Sequence, residues 1–242
     1  MKSRTLAATL MLLCAAVQGL AQATPAQTPA QTPTPAQSPT PQSPAAKTSP
    51  TPAAQKPGSS DAKKKYEALL EQAKKGEGAV DYGALRFAFF ETPDYNPLSG
   101  MLIYRSLWGL VMQANWAEAA KQAEAVLEKN YVDANAHMVA HIAYREQGDE
   151  EKAKLHRRWA DGLIESIKAG GDGKSPANAW HVISISEEYA VIRSMNLRAT
   201  GQSLLNDKGH AYDVMKTLDP RTNTEVTLFF NVDKPFSAYG RK

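Results

Sequence analysis

Residues 134–169 read ANAHMVAHIAYREQGDEEKAKLHRRWADGLIESIKA. Ala136, Ala140, Ala143 and Tyr144 recur at helical spacing, Gly148-Asp149 interrupts the run, and Ala153, Ala160, Leu163, Ile164 and Ile167 resume it. This pattern predicts a helix, a tight polar break and a second helix. Small residues on the facing sides let two backbones approach closely. Working outward, the same layout occurs thirty-four residues earlier: Ala114, Asn115, Trp116 and Ala119 fall on Gly148, Asp149, Glu150 and Ala153, and Leu110 falls on Tyr144. A fixed period of this size is the mark of stacked supersecondary units, each needing a neighbour to bury its apolar face.

The period, the polar break and the small residues resemble tetratricopeptide repeats, with Tyr144, Gly148, Asp149, Ala153 and Ala160 in consensus places of that motif. His137 and His141 depart from it, since the motif prefers a large apolar residue and a small one there. The stretch from Met101 to Ala169 thus holds one well-formed unit and one degenerate one. The resemblance implies an α+β fold only once the rest of the chain is added: tetratricopeptide-like helical hairpins, about 5–6 helices in all, packed with a C-terminal antiparallel sheet of 3–4 strands.

Toward the N-terminus, Lys2 and Arg4, an apolar run from Leu6 to Val17 and Ala21-Gln22-Ala23 have the layout of a secretory signal over residues 1–23. The run is shorter than the roughly 20 apolar residues a membrane helix needs, and no later segment approaches that length, so no transmembrane segment is expected. The expected location is exported, periplasmic or extracellular. Cys14 is the single cysteine. Removal of the signal leaves no thiol for a disulfide, a metal ligand or a nucleophile. Leu12-Leu13-Cys14 faintly resembles a lipid-attachment box, which would make the chain an envelope-anchored lipoprotein, but such a box wants a small residue where Leu13 stands.

Residues 24–60 are Pro, Thr, Ala, Gln and Ser, with ten of the chain's fifteen prolines between Pro25 and Pro57. Without apolar side chains to bury, such a composition does not offset its ordering entropy, and a disordered linker is expected. The folded part is then divided into a helical region over 61–175 and a β-meander over 176–242, forming one globular unit with a core of its own. Without Lys2 and Arg4 the chain carries 26 basic and 25 acidic residues, a balance that argues against nucleic acid as a partner. Lys63-Lys64-Lys65 and Lys74-Lys75 belong to the solvated side of an amphipathic helix whose other face is Tyr66, Leu69, Leu70 and Ala73.

After the break at Gly76 and Gly78, Asp81 is placed to cap a short apolar helix that Leu85, Phe89 and Phe90 seat in the core. Arg86 lies in the middle of it. Its ordinary reading is a side chain whose stem follows apolar surface to a wet rim; the alternative is a pair with a carboxylate inside a groove. In the run Ala169-Gly170-Gly171-Asp172-Gly173-Lys174-Ser175-Pro176, glycine is expected to end the last repeat helix in a left-handed cap. Gly173-Lys174-Ser175 is not a phosphate-cradling loop, because Lys168 stands where the first glycine is needed and a helix, not a strand, precedes it.

From Trp180 the pattern alternates. Residues 181–192 are predicted to form a strand, followed by strands at 197–205, 210–218 and 224–232 separated by turns at 194–196, 206–209 and 219–223. On a strand Glu187 and Glu188 point to opposite faces. Glu187 would share a face with Ile183, Ile185, Tyr189 and Val191, and so must either find a partner, Arg86 or a histidine, or be protonated.

Two stretches taken together, Asp81-Tyr82, Leu85-Arg86 and Pro93-Asp94-Tyr95-Asn96-Pro97 in the first, and Gly171-Asp172-Gly173-Lys174-Ser175 and Ile185-Ser186-Glu187-Glu188-Tyr189 in the second, resemble an exported bacterial family, domain of unknown function 4919. The resemblance spans roughly residues 78–232. It implies a fold and an envelope location and brings no catalytic residues.

His137 and His141 lie four apart on one helical face with His156 on the next helix, a possible zinc spacing. No H-E-x-x-H glutamate accompanies them, and histidines inside a helical hairpin are more often packing groups, so neither a metal nor a cofactor is assigned. No nucleophile elbow, triad order or dinucleotide fingerprint is visible. The candidate binding residues are Arg86, His137, His141 and Glu187. Two functions follow: a protein- or peptide-binding module that uses the concave side of the helices, or a small hydrolase or ligand-binding enzyme with those four residues between helices and sheet.

Overall fold

The structure, a computed structural model, describes residues 60–76, 78–97 and 99–238. The signal-like start, Cys14 and the proline-rich segment lie outside the described residues. Among the described residues, eight α-helices and four strands follow in the order α1 (Ser60–Lys75), α2 (Tyr82–Phe90), α3 (Ser99–Met112), α4 (Trp116–Leu127), α5 (Ala134–Glu146), α6 (Glu150–Lys168), β1 (Trp180–His181), α7 (Ile185–Ser194), β2 (Arg198–Asp207), β3 (His210–Asp219), β4 (Thr224–Asn231) and α8 (Asp233–Ala238), with a short 3-10 turn at Pro176–Asn178 before β1. The fold is α+β, as expected. Among the described residues, no helix is long and apolar enough to cross a membrane.

The thirty-four-residue period is written into the helix boundaries. Helices α3 and α5 end at Met112 and Glu146, and α4 and α6 begin at Trp116 and Glu150. Between each pair the chain turns through one left-handed residue, Ala114 at φ 54° and Gly148 at φ 82°. Asp149 then caps α6 by accepting from the Lys152 amide at 3.1 Å, whereas Asn115 makes no side-chain cap. The degenerate unit therefore has a weaker corner than the well-formed one. Ala119, Ala120, Ala123, Ala136, Ala140 and Ala143 are all buried, which is how α4 and α5 come close enough to enclose Leu107, Leu127 and Val139.

A second core lies between α2, α6, α7 and the sheet, with Leu85, Phe89, Phe90, Trp159, Leu163, Ile167, Trp180, Val191, Met215 and Phe230. The sheet order is β1-β4-β3-β2. Strands β2, β3 and β4 form the expected antiparallel meander; β2 and β3 are joined by Lys208-Gly209, both left-handed at φ 50° and 83°, the geometry that lets two residues turn a hairpin, and β3 and β4 by the turn at 220–223. The sheet is mixed because β1 lies parallel to β4, Trp180 opposite Phe230.

Two expectations are corrected. Residues 181–192 are not one strand: after the two residues of β1 the chain turns and forms α7. Buried side chains at 187, 188, 190, 191 and 192 show why, since only a helix wedged between layers covers neighbours on more than one side. The left-handed cap expected at the end of α6 is absent, because Ala169 is right-handed at φ −61° and the left-handed glycine of that run is Gly173 at φ 68°, four residues on. Its missing Cβ is the space that the Trp180 ring occupies, since a Cβ there would lie 2.7 Å from the ring.

Ala114 occupies a backbone region that costs an L-residue roughly 1–2 kcal/mol and glycine almost nothing. Ala114→Gly should therefore stabilise the chain by about 0.5–1 kcal/mol in urea unfolding, after the extra flexibility of glycine in the unfolded chain is subtracted. Gly148→Ala should do the reverse.

Candidate functional site

Arg86 is 1% exposed, and its partner is Glu187. Nε and Nη2 donate to the two carboxylate oxygens at 2.6 and 2.7 Å, a bidentate pair. Nη2 also donates to the His181 carbonyl at 3.0 Å and Nη1 to Ser166 Oγ at 3.4 Å, while Glu187 Oε2 accepts from the Ile183 amide at 2.8 Å. The rim reading of Arg86 is thereby corrected: a guanidinium flanked by Leu85, Phe89 and α6 has no route to water, and the paired carboxylate makes its burial tolerable. Glu187 takes the arginine named as one of its possible partners, but from the first turn of α7 and not from a strand.

Around this pair the two motif stretches meet. Asp81 caps α2 through the Ala84 amide at 2.8 Å. The Tyr95 hydroxyl donates to the Ile183 carbonyl. Asn135 Nδ2 donates to the Ser186 carbonyl and hydroxyl at 2.7 and 2.9 Å. Trp180 Nε1 donates to the Gly171 carbonyl at 2.8 Å, and Phe229 donates its amide to the Gly173 carbonyl at 2.7 Å. Next to Glu187 a crevice of about 20 Å³ is bordered by Tyr95, Asn96, Asp133, Ser184 and Ser186. That volume is of the size that holds a single water. Desolvation, aided by the charge of Glu187, raises the Asp133 carboxyl to about 6, against the pull of the Ala136 and Asn135 amides.

The chain belongs to the DUF4919 family. The model of that domain of unknown function matches residues 60–241. No curated protein and no solved structure matches the chain. Within this DUF4919 chain, Arg86, Tyr95, Gly171, Gly173, Ser186 and Glu187 tie the layers together.

The histidines form a separate arrangement. His137 is fully buried, with Nε2 3.0 Å from the Tyr131 carbonyl and Nδ1 2.9 Å from Nδ1 of His156. A carbonyl only accepts, so Nε2 carries the hydrogen. Burial pushes His137 down to about 3, so the ring is neutral and its Nδ1 accepts from His156. His156 Nε2 faces Glu124 Oε1 at 3.2 Å, but burial lowers His156 toward the neutral ring, whose one hydrogen is on Nδ1, so it is the Tyr144 hydroxyl that donates to Glu124, at 3.0 Å. Both nitrogens of His137 are committed within the protein. His141 is not part of this chain: its Nδ1 donates to the Ala153 carbonyl at 2.9 Å. Among the described residues no three His, Cys, Asp or Glu side chains converge as metal ligands.

Of the four candidate residues, Arg86 and Glu187 are brought together, His137 joins His156 instead, and His141 lines a different feature. That feature is a groove of about 400 Å³ walled by Met138, His141, Ile142 and Arg145 of α5, by Arg157, Asp161 and Ile164 of α6, and by Arg193 at the end of α7. Its three arginines come from three helices, and nothing in a single sequence associates them. Glu188, placed by the sequence only on the face opposite Glu187, has both carboxyl oxygens sealed from water against the carboxyl of Asp213. Burial first, then the neighbouring charge of Asp213 and a hydrogen bond to it, push this carboxyl well above the usual range, which favours the protonated form that can donate to Asp213. Asp213 itself accepts from Gln202 Nε2 at 2.6 Å.

Two outcomes are expected. Arg86→Met or Glu187→Met strands a buried charge and should cost about 3–5 kcal/mol in urea unfolding. The double variant should cost less than the two single losses added, by on the order of 1–3 kcal/mol, in a double-mutant cycle. For Glu188, a folded-state proton affinity above that of the unfolded chain means stability is complete at acid pH and is lost as pH rises through the folded value. Glu188→Gln should accordingly be near-neutral at pH about 4 and more stable than the parent by on the order of 1–3 kcal/mol at pH about 8, read from the difference between the two unfolding curves.

Proposed function

We propose that this DUF4919 chain is an exported protein- or peptide-binding module. The observation that carries the reading is the groove between α5, α6 and the end of α7. At about 400 Å³ it has the size of a ligand-binding cleft. Its floor is apolar, with Ile164 buried and Met138 and Ile142 half-buried, and its edges are charged and exposed. An apolar floor with a polar rim is the anatomy of a recognition surface. The thirty-four-residue arrangement of α3 to α6 supports the tetratricopeptide-like reading, in which successive helix pairs present one side to a partner. Lys2, Arg4 and the apolar run from Leu6 to Val17 support export to the periplasm or beyond, with lipid on Cys14 as the anchored variant of the same location.

The enzymatic alternative needs Arg86, His137, His141 and Glu187 to face one substrate cavity. Arg86 and His137 are 1% and 0% exposed and fully engaged, the crevice at Glu187 is about 20 Å³, and His141 lies in the other groove. The binding reading asks nothing of the buried pair beyond holding α7, and with it Arg193, in place.

A photoreactive residue at Ile142 of the full-length chain, produced in its host cell, should cross-link one partner in near-stoichiometric yield. The same residue at Leu204, exposed on the sheet, is the comparison. No product from Ile142, or the same products from both positions, would remove the proposal.

A further inference from the structure

The groove has a definite charge, and that charge states what its occupant carries. Arg145, Arg157 and Arg193 line it against a single carboxylate, Asp161. A guanidinium has five N–H donors. Arg157 spends one of them, Nε to Asp161 at 2.6 Å, and Arg145 spends Nε and Nη2 on Glu146 at 3.2 and 2.7 Å. Both side chains are more than half exposed, at 61% and 52%, so their remaining donors face water. Arg193 is held differently. Its guanidinium lies 3.7 Å over the Trp108 ring and donates to the Tyr104 hydroxyl, while Nε is shielded from water with no acceptor in reach. It is a fixed cation, positioned by aromatic stacking and not by a carboxylate. His141 donates Nδ1 to the Ala153 carbonyl, which leaves Nε2 as the nitrogen not committed to the backbone.

The cations are spread over the groove and separated by apolar surface. Along α5, Met138, Ile142 and Arg145 follow one another at helical spacing, and along α6 Arg157, Asp161 and Ile164 do the same. A compact anion would use one of the guanidinium groups and leave the apolar floor wet. An extended segment that alternates apolar and acidic side chains meets both: its apolar residues on Met138, Ile142 and Ile164, its carboxylates on the three arginines.

We propose that the groove binds an acidic, apolar-containing peptide segment of a partner protein. The assignment rests on the binding reading above and narrows it to one class of ligand. Planar bidentate contacts from Arg145 and Arg157 fix the acidic residues, and Arg193 supplies the charge that needs no reorganisation.

The test uses the full-length chain and three fluorescently labelled peptides that alternate leucine with aspartate, with glutamine or with lysine, titrated by anisotropy. The aspartate peptide should bind, weaken as salt is raised, and lose about tenfold in affinity when Arg145→Gln and Arg157→Gln are combined, as charge-assisted contacts require. The lysine peptide should not bind. Because both arginines are exposed, the double variant should unfold at the same urea concentration as the parent, which separates a lost contact from a lost fold. If the glutamine peptide binds as tightly as the aspartate peptide, or if the double variant binds the aspartate peptide unchanged, the acidic preference is wrong while a peptide groove survives. If none of the three binds, or if binding persists in Ile142→Glu, the groove reading falls with it.

Discussion

Arg86 and Glu187 meet across 101 residues of sequence, and most of the architecture depends on that meeting. The guanidinium leaves the middle of α2, the carboxylate leaves the first turn of α7, and the same two groups hold the His181 carbonyl, the Ile183 amide and the Ser166 hydroxyl of α6. One pair therefore fixes a helix from the N-terminal part, the long helix of the second unit, the end of β1 and the wedge helix. An ion pair of this burial adds little net stability compared with well-packed apolar side chains, because both charges must leave water. What it supplies is exclusivity. Any other placement of α7 strands a charge in the core, so the alternatives are raised in energy even where the native state is not much lowered.

The same logic explains which parts of the molecule could be read from sequence. The helix pair at 134–169 declares itself because α6 buries Ala153, His156, Ala160, Leu163, Ile164 and Ile167 on one side, giving a clean 3.6-residue period, because the alanines of α5 recur at the same spacing, and because Gly148 and Asp149 are the residues that a left-handed turn and an N-cap require. The three strands of the meander declare themselves through the turns at Lys208-Gly209 and Asp219–Thr224. Helix α7 does not, since it is covered on several sides. Ile183, Ile185, Tyr189 and Val191 happen to alternate, and the period of a fully enclosed element is ambiguous. A stronger signal lay in Ser184 followed three residues later by Glu187, the spacing of a capping box, with Glu187 and Glu188 both in the first turn where a helix favours negative charge. In the structure the serine makes no side-chain cap, and Glu187 reaches back to the amide of Ile183, one residue before the usual target, because its other bonds are owed to Arg86.

The candidate site was legible only in its buried half. A carboxylate among apolar residues must be partnered, so the sequence is sufficient to ask for a partner of Glu187 and to name Arg86 among the few available. The grouping of Arg145, Arg157 and Arg193 obeys no such necessity. Each is a polar residue near a helix end or on a wet face, satisfactory in isolation, and only the crossing of α7 over the α5–α6 pair makes them neighbours. His137 illustrates the middle case: its spacing to His141 suggested a shared ligand, yet the rotation of α5 sends one ring to His156 and Tyr131 and the other to the groove.

It follows that the residues that tie the layers together and the residues that line the groove are largely different sets, and the difference has a physical origin. Asp81, Arg86, Tyr95, Gly171, Gly173 and Glu187 act through backbone groups and through one another, so each is fixed by geometry that any chain of this fold must reproduce. The groove arginines take no part in those internal contacts: Arg145 and Arg157 are more than half exposed, and their ion pairs are to neighbours on their own helices. A scaffold whose specifying contacts are internal tolerates substitution on such exposed helix faces at little cost to the fold. Arg86 and Glu187 face inward, and Arg145 and Arg157 face out.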